Sequence, residues 1–219
     1  MTPSIYFLPG LGADFRLFRK QLEAGMPITI LEWKIPLKGE TIQQYAARMA
    51  ADISKSDKLI LGGVSMGGMM AIEIAKIVRP EKLILISSAK NRNELPLFFR
   101  FFKYLPVQRW LPYAFFNNIQ VVANAIYPLF GKMRREEKKI FVEMAKAAPQ
   151  EFVKWALNAI VTWENTEVPA PTIHIHGTAD LILPYRYVRN VITIKKGTHL
   201  MISERAEEIN AILNREFKQ

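Results

Sequence analysis

The segment Gly62-Gly63-Val64-Ser65-Met66-Gly67-Gly68 follows a short apolar run and leads into Met69, Met70, Ile72, Ile74, Ile77 and Val78, an apolar set that fits a buried helix. It reads as strand, sharp turn and helix, and a serine at the apex of such a turn takes a strained backbone conformation that lifts its hydroxyl clear of the sheet. Gly63 and Gly67 stand two residues before and after Ser65, where the absence of a side chain lets strand and helix pass closely. A hydroxyl is a poor nucleophile, so an imidazole must take its proton during attack, a contribution of about 10²- to 10⁴-fold. Three histidines are available, His174, His176 and His199, and the chain has no cysteine. Thiolate catalysis, iron–sulfur clusters and cysteine-ligated zinc are thereby excluded, and any metal site would have to lean on carboxylates. Cofactor signatures fail too. Gly10-Leu11-Gly12 is followed by Phe15 where a dinucleotide loop wants glycine, Gly68 is followed by Met69 rather than a phosphate-loop lysine, and no HExxH pair occurs. Chemistry by a serine, with neither cofactor nor metal, is the expectation.

Such a serine needs a scaffold, and 219 residues at 50% apolar and 23% charged can bury a real core in one or two domains. Six apolar runs qualify as strands: Ile5 to Leu8, Ile28 to Trp33, Lys58 to Val64, Lys82 to Ser87, Thr172 to His176 and Val191 to Ile194. Most are rich in Ile, Leu or Val and short enough to be strands buried on both faces of a parallel sheet. Helical spacing fills the gaps. Ile42, Tyr45, Ala46, Met49 and Ile53 follow a Thr41–Gln44 capping box, Asp14 is placed to cap a helix from Phe15 to Leu22, and Ala206, Ile209, Leu213 and Phe217 mark a closing helix. The fold class is therefore α/β, a mostly parallel six-stranded sheet with helices on both faces. From Ala89 to Val168 the strand pattern stops for roughly eighty residues, too many for a bare loop. The chain divides into a core of residues 1–88 and 169–219 and a helical insertion of residues 89–168. Leu95 to Phe116 holds nine aromatic residues broken by Pro96, Pro106 and Pro112, so its helices are short. Pro149 to Trp163 puts Phe152, Trp155, Ala156, Ala159, Ile160 and Trp163 on one face of a longer one.

These residues resemble the α/β-hydrolase family over essentially the whole chain apart from the insertion. Besides the Ser65 turn, Phe7-Leu8-Pro9-Gly10-Leu11-Gly12-Ala13-Asp14 is similar to the family's oxyanion loop. His176-Gly177-Thr178-Ala179-Asp180, with Pro184 four residues on, is similar to its HGxxD segment, and Gly197-Thr198-His199 to the loop that carries its histidine. The order Ser, Asp, His is the one this fold uses. The resemblance implies Ser65 as nucleophile, His199 as base and then acid, and Asp180 as the carboxylate that orients His199. It implies the amides of Leu11 and Met66 as the oxyanion hole, each such donor being worth roughly 10² to 10³ in rate. Parallel strands deliver their C-terminal ends to one edge of the sheet, so residues far apart in sequence converge there. The insertion would be a cap over the serine, its Leu95–Phe116 part walling an apolar acyl pocket with Phe98 and Phe102 as substrate contacts. Two features depart from the family pattern: the chain begins at what would be the third strand, and Pro9-Gly10 stands where many relatives have His-Gly. Neither removes a backbone donor.

The function expected on these grounds is hydrolysis of a small-molecule carboxylic ester or thioester through an acyl-enzyme intermediate. The same triad could instead serve lyase, acyl-transfer or C–C bond chemistry, or stand unused in a binding module. His174 alternates with Ile173 and Ile175 and reads as a packed or hydrogen-bonded core residue; His176 reads as structural too, or as a support behind the reacting groups. Some relatives place the acid after the fourth strand named above, but Ser87, Ser88 and Asn91 there are not carboxylates, and Glu94 lies rather far along. The net charge is +10, and from Lys90 to Glu164 there are twelve basic and six acidic residues. No nucleic-acid signature accompanies them, and Lys132 to Lys139 mixes in Glu136 and Glu137 as a solvated helix face would. A basic cap could also dock an acidic acyl-carrier protein. No apolar run approaches the ~18 residues of a membrane span and no signal peptide precedes the first strand, so a cytoplasmic location is expected.

Overall fold

The computed structural model describes residues 3–54, 58–102, 126–131 and 134–218. Six strands, β1 (Ser4–Leu8), β2 (Thr29–Ile30), β3 (Leu59–Val64), β4 (Lys82–Ile86), β5 (Thr172–Gly177) and β6 (Ile192–Ile194), form one sheet in the order β2-β1-β3-β4-β5-β6. Every neighbouring pair is parallel. Period-two alternation sends Tyr6, Leu8, Leu59, Leu61, Leu83 and Leu85 to one apolar layer, and Ile5, Phe7, Ile60, Ile84, Ile86 and Ile175 to the other. Burial on both faces is why these strands read as continuous apolar runs.

Helices cover both layers. On the leucine face lie α2 (Ile42–Ala50), α3 (Met66–Val78) and α6 (Gln150–Thr162); on the isoleucine face lie α1 (Arg19–Glu23), with a 3₁₀ turn before it, α7 (Met201–Glu204) and α8 (Ala206–Phe217). The insertion contributes α4 (Leu97–Phe102), a helical stretch at 126–130, α5 (Arg135–Ala147) and α6. The capping box at Thr41 is formed by both of its bonds, Gln44 N to Thr41 Oγ1 and Thr41 N to Gln44 Oε1. Asp14 caps as expected by accepting from Arg16 N, but it opens a 3₁₀ turn, Phe15–Phe18, ahead of α1 rather than one helix. Among the described residues no helix is long and apolar enough to cross a membrane.

The second strand is shorter than its apolar run. Only Thr29–Ile30 pairs with β1, and beyond Leu31, whose amide still reaches Phe7 O, the backbone leaves the ladder. Side chains take over: Trp33 Nε1 donates to Gly10 O, and Tyr45 Oη bridges N and O of Lys34. Glu137 also departs from expectation, since it is not on a wholly solvated face but pairs with Lys20 of the core at 2.9 Å. The strand order turns back at β1, so the loops after β1 and β3 open a crevice at the C-terminal edge of the sheet.

Candidate active site

Ser65 is the residue between β3 and α3, with φ 54° and ψ −122°. A non-glycine residue in this region is held there only when its surroundings demand it. They do so through close packing. A β-carbon on Gly63 would lie 2.3 Å from the backbone of Gly67, and one on Gly67 2.3 Å from Leu8 O. The turn therefore fits only if both positions lack side chains, and Ser88 Oγ secures it by donating to Ser65 O at 2.7 Å.

The residues expected from the sequence meet at this edge. His199, on the loop after β6, has Nε2 2.9 Å from Ser65 Oγ and Nδ1 2.8 Å from Asp180 Oδ2. A carboxylate accepts, so Nδ1 carries the proton and bare Nε2 is left to accept from the serine hydroxyl. Asp180 follows β5, and its Oδ1 takes two amides, Ile182 N at 2.9 Å and Leu183 N at 2.8 Å. Burial pushes the Asp180 carboxyl up, but His199, the Leu183 amide and His176 outweigh it and hold the group below the usual carboxylate range. Asp180 and His199 are 3% and 2% exposed, so the pair is shielded from solvent competition.

Above Ser65 opens a cavity of about 280 Å³ that reaches from Gly10 and Leu11 to the insertion. Leu11 and Met66 both line it, Met66 being the first residue of α3, whose leading amides have no acceptor within the helix. Among the described residues, Ser65 and His199 supply the polar side chains of the lining, and it holds no Asp, Glu, Lys or Arg. Phe99 lines the cavity, whereas Phe98 is 48% exposed and packs its ring on that of Phe99 at 4.4 Å. The side chain of Phe102 lies outside the described residues, as does the rest of the aromatic run through residue 125.

Sequence reasoning missed two neighbours of the site. Phe130 sets its ring edge-on to His199 with centroids 5.4 Å apart, while Leu200 N donates to Phe130 O. Trp33 holds the Gly10 carbonyl in the loop after β1, and its place at the end of a strand run was the available signal. Among the described residues no group of three or more His, Asp and Glu is arranged to hold a metal ion.

A parallel α/β sheet with a strained serine at the end of its third strand, and an imidazole and carboxylate in line behind it, defines a class. Residues 5–212 match the Alpha/beta hydrolase family, and the chain belongs to it. A comparison with curated proteins found no match. Among solved structures, an esterase from Thermogutta terrifontis superimposes with a TM-score of 0.73 at 18% identity, covering 99% of this chain and 89% of the other. The enol-lactonase from Burkholderia xenovorans gives 0.77 at 17% identity over 100% and 92%, and MenH from S. aureus 0.77 at 17% over 100% and 96%. At these identities the likeness establishes a shared fold.

Proposed function

We propose that the protein is a serine hydrolase that cleaves a carboxylic ester or thioester of an uncharged, apolar acyl group, with residues 89–168 acting as its cap. The observation that carries this reading is the unbroken line from Asp180 Oδ2 through His199 to Ser65 Oγ, at 2.8 and 2.9 Å, on the floor of an apolar cavity. Ser65 Oγ attacks the acyl carbon while its proton passes to His199 Nε2, and Asp180 stabilises the imidazolium as it forms. The amides of Leu11 and Met66 receive the oxyanion, helped by the N-terminal end of α3. His199 then returns the proton to the departing alkoxide or thiolate. Water repeats the sequence on the acyl-enzyme. Among the described residues the lining offers an ionised acyl group no Asp, Glu, Lys or Arg partner, and burying an unpaired charge costs several kcal/mol.

Hydrolysis of aryl esters of graded acyl length tests the reading. Wild-type protein should turn over neutral acyl esters and reject dicarboxylic ones, Ser65→Ala should lose the activity, and Phe99→Ala should move the optimum toward bulkier acyl groups. An optimum unchanged in Phe99→Ala removes Phe99 from the acyl wall; failure of every ester and thioester, in protein whose Ser65 is reactive, assigns the site to non-hydrolytic acyl chemistry.

A further inference from the structure

Strand β5 carries two histidines on the sheet face that β3 and β4 line with leucines. His174 pairs with Leu85 in the β4–β5 register, and His174 and His176 are 1% and 0% exposed. Imidazoles in an apolar layer weaken the fold unless their nitrogens are bonded, so their partners show what the rings hold. His176 Nε2 lies 2.8 Å from Leu183 O and His174 Nε2 3.1 Å from Ser88 O. A carbonyl oxygen only accepts, so both Nε2 atoms carry the hydrogen and both rings sit in the same neutral tautomer. Burial drives both away from protonation. His176 Nδ1 is then bare and lies 3.3 Å from His174 Nε2, whose hydrogen it shares with Ser88 O.

The two ends of this chain reach the two ends of the site. Ser88 Oγ donates to the Ser65 carbonyl at 2.7 Å, and Leu183, whose carbonyl accepts from His176, gives its amide to Asp180 Oδ1 at 2.8 Å. His176 Nε2 also faces Asp180 Oδ2 at 3.5 Å, the oxygen that holds His199. The path crosses the C-terminal ends of β3, β4 and β5, three adjacent strands, in that order. We propose that His176, with His174 and Ser88 behind it, is a positioning residue that fixes the Asp180 turn relative to the Ser65 turn, so that carboxylate and hydroxyl meet the two nitrogens of His199 together. The inference rests on the reading of Ser65, His199 and Asp180 as a working triad. A neutral ring suits the task, because a cationic one would compete with His199 for the carboxylate.

The test compares His176→Phe, which keeps a flat ring and removes both nitrogens, with His176→Gln, whose amide can again donate to Leu183 O. Readouts are kcat and KM on an aryl ester, the rate of Ser65 labelling by a fluorophosphonate, and Tm. Misplacement of reacting groups by about 1 Å is worth ~10²-fold, so kcat and labelling should fall roughly 10- to 100-fold in His176→Phe. KM should stay as in wild type, and His176→Gln should recover most of the loss. A packing role alone would lower Tm and leave kcat intact below the transition. Folded His176→Phe with wild-type kcat, or His176→Gln no faster than His176→Phe, overturns the inference. Should His176→Phe fail to fold, Ser88→Ala cuts the same chain at its other end with β5 intact, and wild-type kcat there overturns it equally. Wild-type protein that resists labelling removes the triad reading and this inference together; labelled wild type with unaffected variants removes this inference alone.

Discussion

Trp163 Nε1 donates to Glu73 Oε1 at 2.8 Å, joining the end of the helical insertion to α3, the helix that follows Ser65. Both residues are 2% exposed, and the other bonds to the Glu73 carboxylate come from Lys76. Trp163→Phe keeps an aromatic ring but leaves a buried carboxylate oxygen short of one donor, an omission worth about 1–3 kcal/mol. Urea unfolding should show a loss of that size. A midpoint equal to wild type would mean that the bond contributes nothing to the attachment.

The contact of Gly67 with the first strand makes a sharper prediction. Because a β-carbon there would meet backbone oxygen of Leu8 and not a movable side chain, the turn must open to admit it. Gly67→Ala should be destabilised by about 3 kcal/mol or more, above the usual range for an added methylene, and should lose Ser65 reactivity. Normal stability with normal labelling would contradict the close packing described for this turn.

Acid sensitivity should begin well above the carboxylate range. His174 is lowered from 6.5 to about 3, chiefly by burial, so below about pH 6.5 the unfolded chain takes up a proton that the folded chain refuses. Stability is complete above that pH and falls by about 1.4 kcal/mol per pH unit until the folded ring protonates. The depressed carboxyl of Asp180 acts lower down, being lost only as pH falls beneath about 3.8. Urea midpoints of wild type and His174→Gln, measured from about pH 7 to 4, should converge as pH falls. Parallel curves would mean that His174 does not contribute this slope.

Glu204 carries the opposite sign. Its Oε2 accepts from Thr198 Oγ1 in the loop that presents His199, its Oε1 is buried without a partner, and burial above all raises its pKa. The folded state therefore prefers the protonated form, and ionisation weakens the fold as pH rises from about 4.5 through the raised value. Thermal unfolding should give Glu204→Gln a higher Tm than wild type at neutral pH, with the difference gone near pH 4. The same difference at both pH values would point to a cause other than ionisation.

What the sequence made legible was local. Ser65 between glycines, the apolar strands and the Thr41 capping box depend on neighbours within a few residues, and pattern reading reaches that far. The convergence of Asp180 and His199 followed from all strands being parallel, since each then ends at the same edge. That Phe99 faces the cavity while Phe98 is half exposed has a different reason. Adjacent residues of a helix point about 100° apart, and the phase of the six-residue α4 is set by its docking rather than by its composition. Likewise β2 ends early because Trp33 and Lys34 bond to Gly10 and Tyr45, partners 23 and 11 residues away. Nothing local marks Phe130 as a neighbour of His199, nor Ser88 as the partner of His174, because each contact joins segments that the fold brings together.

The site and rate of reaction with a fluorophosphonate, read by mass spectrometry of the intact protein and its peptides, test most directly whether Ser65, His199 and Asp180 work as a triad. One adduct is expected, on Ser65 and absent from Ser65→Ala, with labelling slowed by as much as ~10⁴-fold in Asp180→Asn, where the amide would hold His199 in the wrong tautomer. Labelling of a different residue, or of Ser65 at the same rate with Asn at position 180, would contradict a working triad.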